Sequence, residues 1–180
     1  MVTTLVKLIL CLMALGRTTT CLEILFEQFD QFSGFDIVDM KLRVRKFNRT
    51  MTTLNGTIFI QQPIANDLVF HTDMFHSRLG NQQFNHYPFK MPTCGFCDFF
   101  DNLHNMYEEH IHDIVNVPQL NECPVRVRQA HILDKVFPSS VLPPFCPTGL
   151  WKIVISGWLQ EEEKLSYQMV VKVYENDFFG

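Results

Sequence analysis

From Val38 to Arg45 apolar and polar residues alternate without a break. Val38, Met40, Leu42 and Val44 fall on one face, and Asp39, Lys41, Arg43 and Arg45 on the other. A period of two marks an extended strand with one buried and one wetted face. The pattern constrains the fold because it recurs. Residues 51–61 repeat it, with Leu54, Ile58 and Ile60 on one face and Asn55 and Thr57 opposite. Residues 22–30, 67–75 and 124–133 read as further strands, and 82–91 as a weaker one that Pro88 demotes to an edge or bend. Segments 149–159 and 164–175 flank Glu161-Glu162-Glu163 as a terminal hairpin.

The period changes once. Phe96, Phe99, Phe100, Leu103, Met106, Tyr107, His110, Ile111 and Ile114 recur every three or four residues, with acidic and polar residues between them. That spacing predicts an amphipathic helix of about 20 residues, N-capped by Thr93 and stopped by Pro118. Residues 137–148 hold four prolines and read as loop or edge. Seven or eight antiparallel strands with one inserted helix predict a mainly β fold, a β-sandwich or open β-cup. The 180-residue chain shows no internal repeat and no interdomain linker.

The opening reads as an address. Lys7 precedes the short apolar run Leu8 to Leu15, and small residues follow, which predicts a secretory signal peptide over residues 1–20, cleaved between about Gly16 and Cys21. One domain, 21–180, then remains. Without Lys7 and Arg17 it keeps 13 of the 15 basic groups against 19 acidic ones. That balance argues against a nucleic-acid partner. No stretch reaches ~18 apolar residues, so no membrane-spanning helix is expected. Asn48-Arg49-Thr50 and Asn55-Gly56-Thr57 are acceptor sequences for N-glycosylation, which fits an exported, extracellular protein.

Cys11 leaves with the signal, and Cys21 sits in the cleavage zone. Cys94, Cys97, Cys123 and Cys146 remain, with three possible pairings. Cys94-Gly95-Phe96-Cys97 could suggest zinc or redox chemistry, but no second close pair and no βαβ context accompany it. Structural disulfides are the expectation outside the cell. No hydrolase, phosphate-binding or dinucleotide motif is present. His110 and His112 diverge on a helix, and Glu108-Glu109 and Glu161 to Glu163 are adjacent carboxylates that point apart. The chain therefore reads as a binding protein and not an enzyme, with no metal and no cofactor.

Three segments carry a resemblance. Residues 92–103, from Pro92-Thr93-Cys94-Gly95-Phe96-Cys97 to Leu103, are similar to the Cys-rich helix entry of the ganglioside-activator family of lipid-recognition proteins. Glu122-Cys123-Pro124 resembles that family's Cys-Pro element, and Leu142 to Trp151 resembles its entry to the last hairpin. The closer resemblance is to the insect chemosensory CheA/CheB group, itself similar to the activators. It covers about residues 22–175.

The resemblance implies a β-cup around an apolar cavity that carries a lipid or other hydrophobic small molecule. It implies a secreted accessory role in taste or pheromone detection, near a sensory-neuron receptor or channel ectodomain. It also implies a Cys97–Cys123 bridge, which leaves Cys94 for Cys146. The cavity lining expected from the alternation is Val38, Met40, Leu42, Val44, Ile58, Ile60 and Phe70, with Phe99, Phe100 and Leu103 of the helix as wall or lid. The same residues could instead fill a solid core. An extracellular module that docks on a receptor or channel without a small ligand is the alternative function.

Overall fold

The computed structural model describes residues 21–48, 50–111, 114–143 and 145–176. The expected signal peptide, residues 1–20, lies outside them. Within the described residues the alternating segments form β1 (Cys21–Ser33), β2 (Val38–Lys46), β3 (Thr52–Ile60), β4 (Val69–Ser77), β5 (Asn85–His86), β6 (Cys94–Gly95), β7 (Arg128–Lys135), β8 (Gly149–Leu159) and β9 (Glu162–Asn176). The excess over seven strands is β5 and β6, of two residues each. The Tyr87 N–H still donates to the Met74 carbonyl, but Pro88 has no N–H with which to continue the ladder.

Every pairing is antiparallel. The larger sheet runs β1-β9-β8-β4-β5, with β6 also on β4, and the smaller runs β2-β3-β7. Their apolar faces meet in two buried clusters. Val38 and Ile60 of the small sheet pack with Phe70 and Leu165 of the large one, together with Phe96 and Cys97. Toward the other end, Leu54 and Ile132 pack with Ile24, Phe26, Trp151, Val171 and Val173. This is the expected β-sandwich. The β8–β9 reversal is made by Gln160 and Glu161, both at positive φ (50° and 67°), a backbone whose twist suits a tight hairpin.

The helix, α1 (Phe96–Ile111), has 16 residues and starts at the first residue of its periodicity. Thr93 does not cap it. Cys94 and Gly95 are instead paired with Phe70 and Val69 on the edge of β4. The cap comes from a distant loop: Asn66 Oδ1 accepts from the N–H groups of Cys97 and Asp98 at 2.9 and 3.1 Å. A Cβ on Gly95 would stand 2.4 Å from that oxygen, so this cap requires glycine there.

Cys97 and Cys123 form a disulfide with Cα atoms 5.6 Å apart, tying the first turn of α1 to the segment that leads into β7. The expected Cys94–Cys146 bridge is not formed, and both are free thiols. Geometry explains the correction. Cys94 lies beside Phe70, whereas Cys146 packs in the cluster of Trp151, the partner of His76. Phe70 and His76 are separated by roughly 20 Å of strand, far beyond the ~7 Å that a disulfide spans between Cα atoms.

Candidate functional site

The register identifies the inward side chains of each strand. On β8 they are Trp151, Ile153, Ile155 and Gly157; on β4, Phe70, Thr72, Met74 and His76; on β9, Leu165, Tyr167, Met169, Val171 and Val173. On the facing sheet they are Val38, Met40, Leu42 and Val44 of β2, opposite Ile60, Ile58, Gly56 and Leu54 of β3. Burial along these rows is uneven. Trp151 and Gly157 are buried, but Ile153 and Ile155 between them are only half-buried. Leu165 and Val171 are buried, with half-buried Tyr167 and Met169 between them. Ile60 and Leu54 bracket a half-buried Ile58 in the same way.

At mid-strand, between the fully buried residues of the two clusters, the inward side chains are half-buried. They are Phe29, Ile153, Met169 and Met74 on the large sheet, and Met40, Leu42 and Ile58 on the small one. Gly56 carries no side chain on this face. A Cβ there would meet the Lys41 carbonyl oxygen at 2.0 Å.

The expected lining divides accordingly. Met40, Leu42, Val44 and Ile58 are inward and half-buried. Val38, Ile60 and Phe70 are 3–4% exposed and belong to the first buried cluster, so they pack the end of the sandwich. Phe99 and Phe100 pack on the same cluster, Phe99 edge-on to Phe70 at 5.2 Å, and wall that end. Leu103 is half-buried one turn further along α1. Phe29, Met74, Ile153, Ile155, Tyr167 and Met169 were not singled out by the sequence pattern. Alternation through Trp151, Ile153 and Ile155, and through Leu165, Tyr167 and Met169, carried a signal for four of them.

The two glycosylation sequences differ. Asn48 is exposed, and its Oδ1 accepts from the Thr50 N–H at 2.8 Å, which leaves Nδ2 toward solvent. Asn55 was expected on a wetted face but is 8% exposed. It braces a bulge in β7, where Asp134 sits at φ 45°. Its Nδ2 donates to Asp134 Oδ1 (2.8 Å) and Thr53 Oγ1 (3.1 Å), and its Oδ1 accepts from the Asp134 N–H (3.0 Å). A glycan has no place on that nitrogen.

A concavity of about 520 Å³ lies on the outer face of the large sheet, lined by Val69, His71, Asp73, Ser156 and Trp158 with Asp67, Gln160 and Glu161 at its end. It is open and bordered by carboxylates. Several imidazoles serve the frame: His104 Nε2 donates to the Pro118 carbonyl at 2.6 Å, and His76 Nε2 to that of Thr148 at 2.9 Å. His112 lies outside the described residues. Among the described residues no three His, Cys, Asp or Glu side chains are grouped to hold a metal ion. No helix among them is long and apolar enough to cross a membrane.

No protein-family model matches the sequence, and no curated protein matches it either.

Proposed function

We propose that this chain is a secreted, non-enzymatic binding protein for a lipid or other hydrophobic ligand, held in the hollow between its sheets. One observation carries the reading: a belt of inward, half-buried apolar side chains separates two closed clusters. Burying an apolar chain there gains about 0.8 kcal/mol per methylene. The Cys97–Cys123 disulfide supports an oxidising, extracellular setting. The resemblance to ganglioside-activator proteins and to the insect chemosensory CheA/CheB group supports a carrier role, and extends the proposal to an accessory part in taste or pheromone detection beside a receptor or channel ectodomain.

The test is native mass spectrometry of the protein secreted from eukaryotic cells, with organic extraction and identification of what co-purifies. A stoichiometric lipid or hydrocarbon is the expected result. No bound species, together with no uptake of a neutral naphthylamine probe, overturns it. That outcome would favour the second reading, a docking module, for which the groove at His71 and Trp158 on the outer sheet face is the supporting feature.

A further inference from the structure

We infer that the concavity on the outer face of the large sheet binds a small organic cation, an alkylammonium or arylalkylammonium. Its charge lies against the Trp158 indole, among the carboxylates of Asp67, Glu161 and Asp73. The site lies outside the sandwich, so the inference does not rest on the carrier reading.

The walls follow from the register. Val69 and His71 of β4 pair with Trp158 and Ser156 of β8, and these four side chains share the face opposite to Phe70 and Gly157. Trp158 Nε1 donates to Ser156 Oγ at 2.9 Å. The one donor of the indole is thus satisfied within the strand, and the ring offers a ligand only its π surface. Trp158 is half-buried, so part of that surface stays open. His71 meets it edge-on, with centroids 6.0 Å apart and planes at 72°, and the two rings form an aromatic corner of the concavity.

The charge around this corner has one sign. Asp67 and Glu161 lie at one end, and neither is in an ion pair among the described residues. Glu163 of β9, the cross-strand partner of Trp158, is in none either. Asp73, further along β4, already holds His86 and Lys90 at 3.3 and 3.5 Å. Lys152 of β8 lies over the Phe75 and Phe84 rings, and Lys164 of β9 is paired with Glu162, so both are engaged elsewhere. An anion would be repelled here, and a neutral hydrocarbon would gain nothing from the carboxylates. A bare metal ion also fits poorly, because no three His, Cys, Asp or Glu side chains converge among the described residues. An organic cation uses both features. Its charge is attracted to the ring face and the carboxylates, and its carbon body occupies about 520 Å³, a volume usual for small-molecule sites.

The test uses the full secreted protein, isotope-labelled at its tryptophan nitrogens and followed by NMR. Trp151, buried and bonded to the Pro147 carbonyl, is the internal reference. Titration with benzyltrimethylammonium or choline should shift the Trp158 indole signal saturably and leave that of Trp151 in place. Dimethylbutanol, the uncharged carbon analogue of choline, should not shift it. Asp67→Asn combined with Glu161→Gln should weaken binding of benzyltrimethylammonium roughly fivefold. Both side chains are exposed, and Asn keeps an acceptor for the Leu68 N–H, so this variant tests charge alone. Trp158→Leu should weaken binding about three- to tenfold, read on the ligand's own resonances, and Trp158→Phe should recover part of the loss. An unaltered melting temperature checks folding in each case. No saturable shift, equal shifts by choline and dimethylbutanol, or an affinity indifferent to the two carboxylates overturns the inference. So does binding of an oligolysine peptide without either small cation, which would make the concavity a protein-docking surface. Uptake of the neutral naphthylamine probe is measured separately, so failure here and failure of the carrier reading are distinguishable.

Discussion

Gln31 completes the free edge of β2 at Met40. Its side-chain Oε1 accepts from the Met40 N–H at 2.7 Å, and its Nε2 donates to the Val38 carbonyl at 2.6 Å, so one amide does for β2 what a neighbouring strand would do. Gln31 belongs to β1, in the larger sheet, and β2 is the edge of the smaller one. The contact therefore stitches the two sheets together. Gln31→Ala leaves two partly buried backbone groups to water, and should cost about 1–2 kcal/mol. For a chain of this length that is a fall of roughly 2–8 °C in Tm, read by thermal unfolding. Gln31→Glu should also lose stability, because a carboxylate cannot donate to the Val38 carbonyl.

The cysteines should separate cleanly by function. Cys97→Ser or Cys123→Ser opens a loop with a sequence separation of 26, for which chain entropy gives about 3.5 kcal/mol. Cys94→Ser and Cys146→Ser should cost far less, since neither is bridged. Burial pushes the Cys94 thiol up, helped by Asp98, and burial alone raises Cys146. Both should alkylate slowly at neutral pH and faster as pH rises, as peptide mapping after iodoacetamide pulses would show. A Cys94–Cys146 cross-linked peptide from the native protein would contradict the structure.

In a protein made through a secretory pathway, Asn48 should carry the glycan and Asn55 should not. Asn48→Gln should remove the glycan mass from the intact protein. Asn55→Gln should leave that mass unchanged but destabilise the fold by about 1–3 kcal/mol, because the β7 bulge loses a buried amide that meets both polar ends of Asp134.

Glu122 should govern part of the acid limb. Burial pushes its carboxyl up, but the N–H groups of Gln119 and Arg126 and the guanidinium of Arg128 outweigh this and hold it below its ordinary value of 4.5. A group whose folded pKa is depressed stabilises above its unfolded pKa, and that gain is lost as pH falls through the folded value. Glu122→Gln should therefore be less stable than wild type at pH 7, by about 1–3 kcal/mol. The gap should close as the two proteins are compared at successively lower pH below 4.5. A constant gap across that range would sink this account.

Alternation alone was enough to recognise β2, β3, β8 and β9, because each places apolar residues on one face over at least nine positions. Other features depend on partners remote in sequence. The cap of α1 is Asn66, reached only after the chain has folded back, so the local candidate Thr93 was misleading. Asn55-Gly56-Thr57 looks like a glycan acceptor, yet each residue answers to the sheet: Asn55 to the bulge at Asp134, Gly56 to the close Lys41 carbonyl, and Thr57 to His131 at 3.1 Å. The half-buried belt between the two clusters was legible only in part. A period of two tells which way Val38 and Leu42 point, but whether each meets a neighbour or a void is decided by the opposite sheet.

That difference between buried ends and half-buried middle gives the last prediction. Leu42 and Ile153 are inward and half-buried, whereas Leu165 is fully buried and Phe70 nearly so, each in contact-rich surroundings. If the proposed carrier function holds, Leu42→Trp and Ile153→Phe add volume where a ligand would otherwise sit. They should leave Tm within about 2 °C of wild type, because cavity filling avoids the strain of overpacking. They should also weaken binding of a neutral naphthylamine probe by roughly tenfold or more, as the added ring occupies the ligand's place. Leu165→Phe forces the same kind of enlargement into the closed cluster and should cost about 1–3 kcal/mol. Phe99→Trp should behave like Leu165→Phe, because Phe99 is wedged edge-on against Phe70 and Phe100. If Leu42→Trp and Ile153→Phe destabilise as much as Leu165→Phe, the middle of the sandwich is as tightly packed as its end, and the hollow on which the carrier reading rests does not exist.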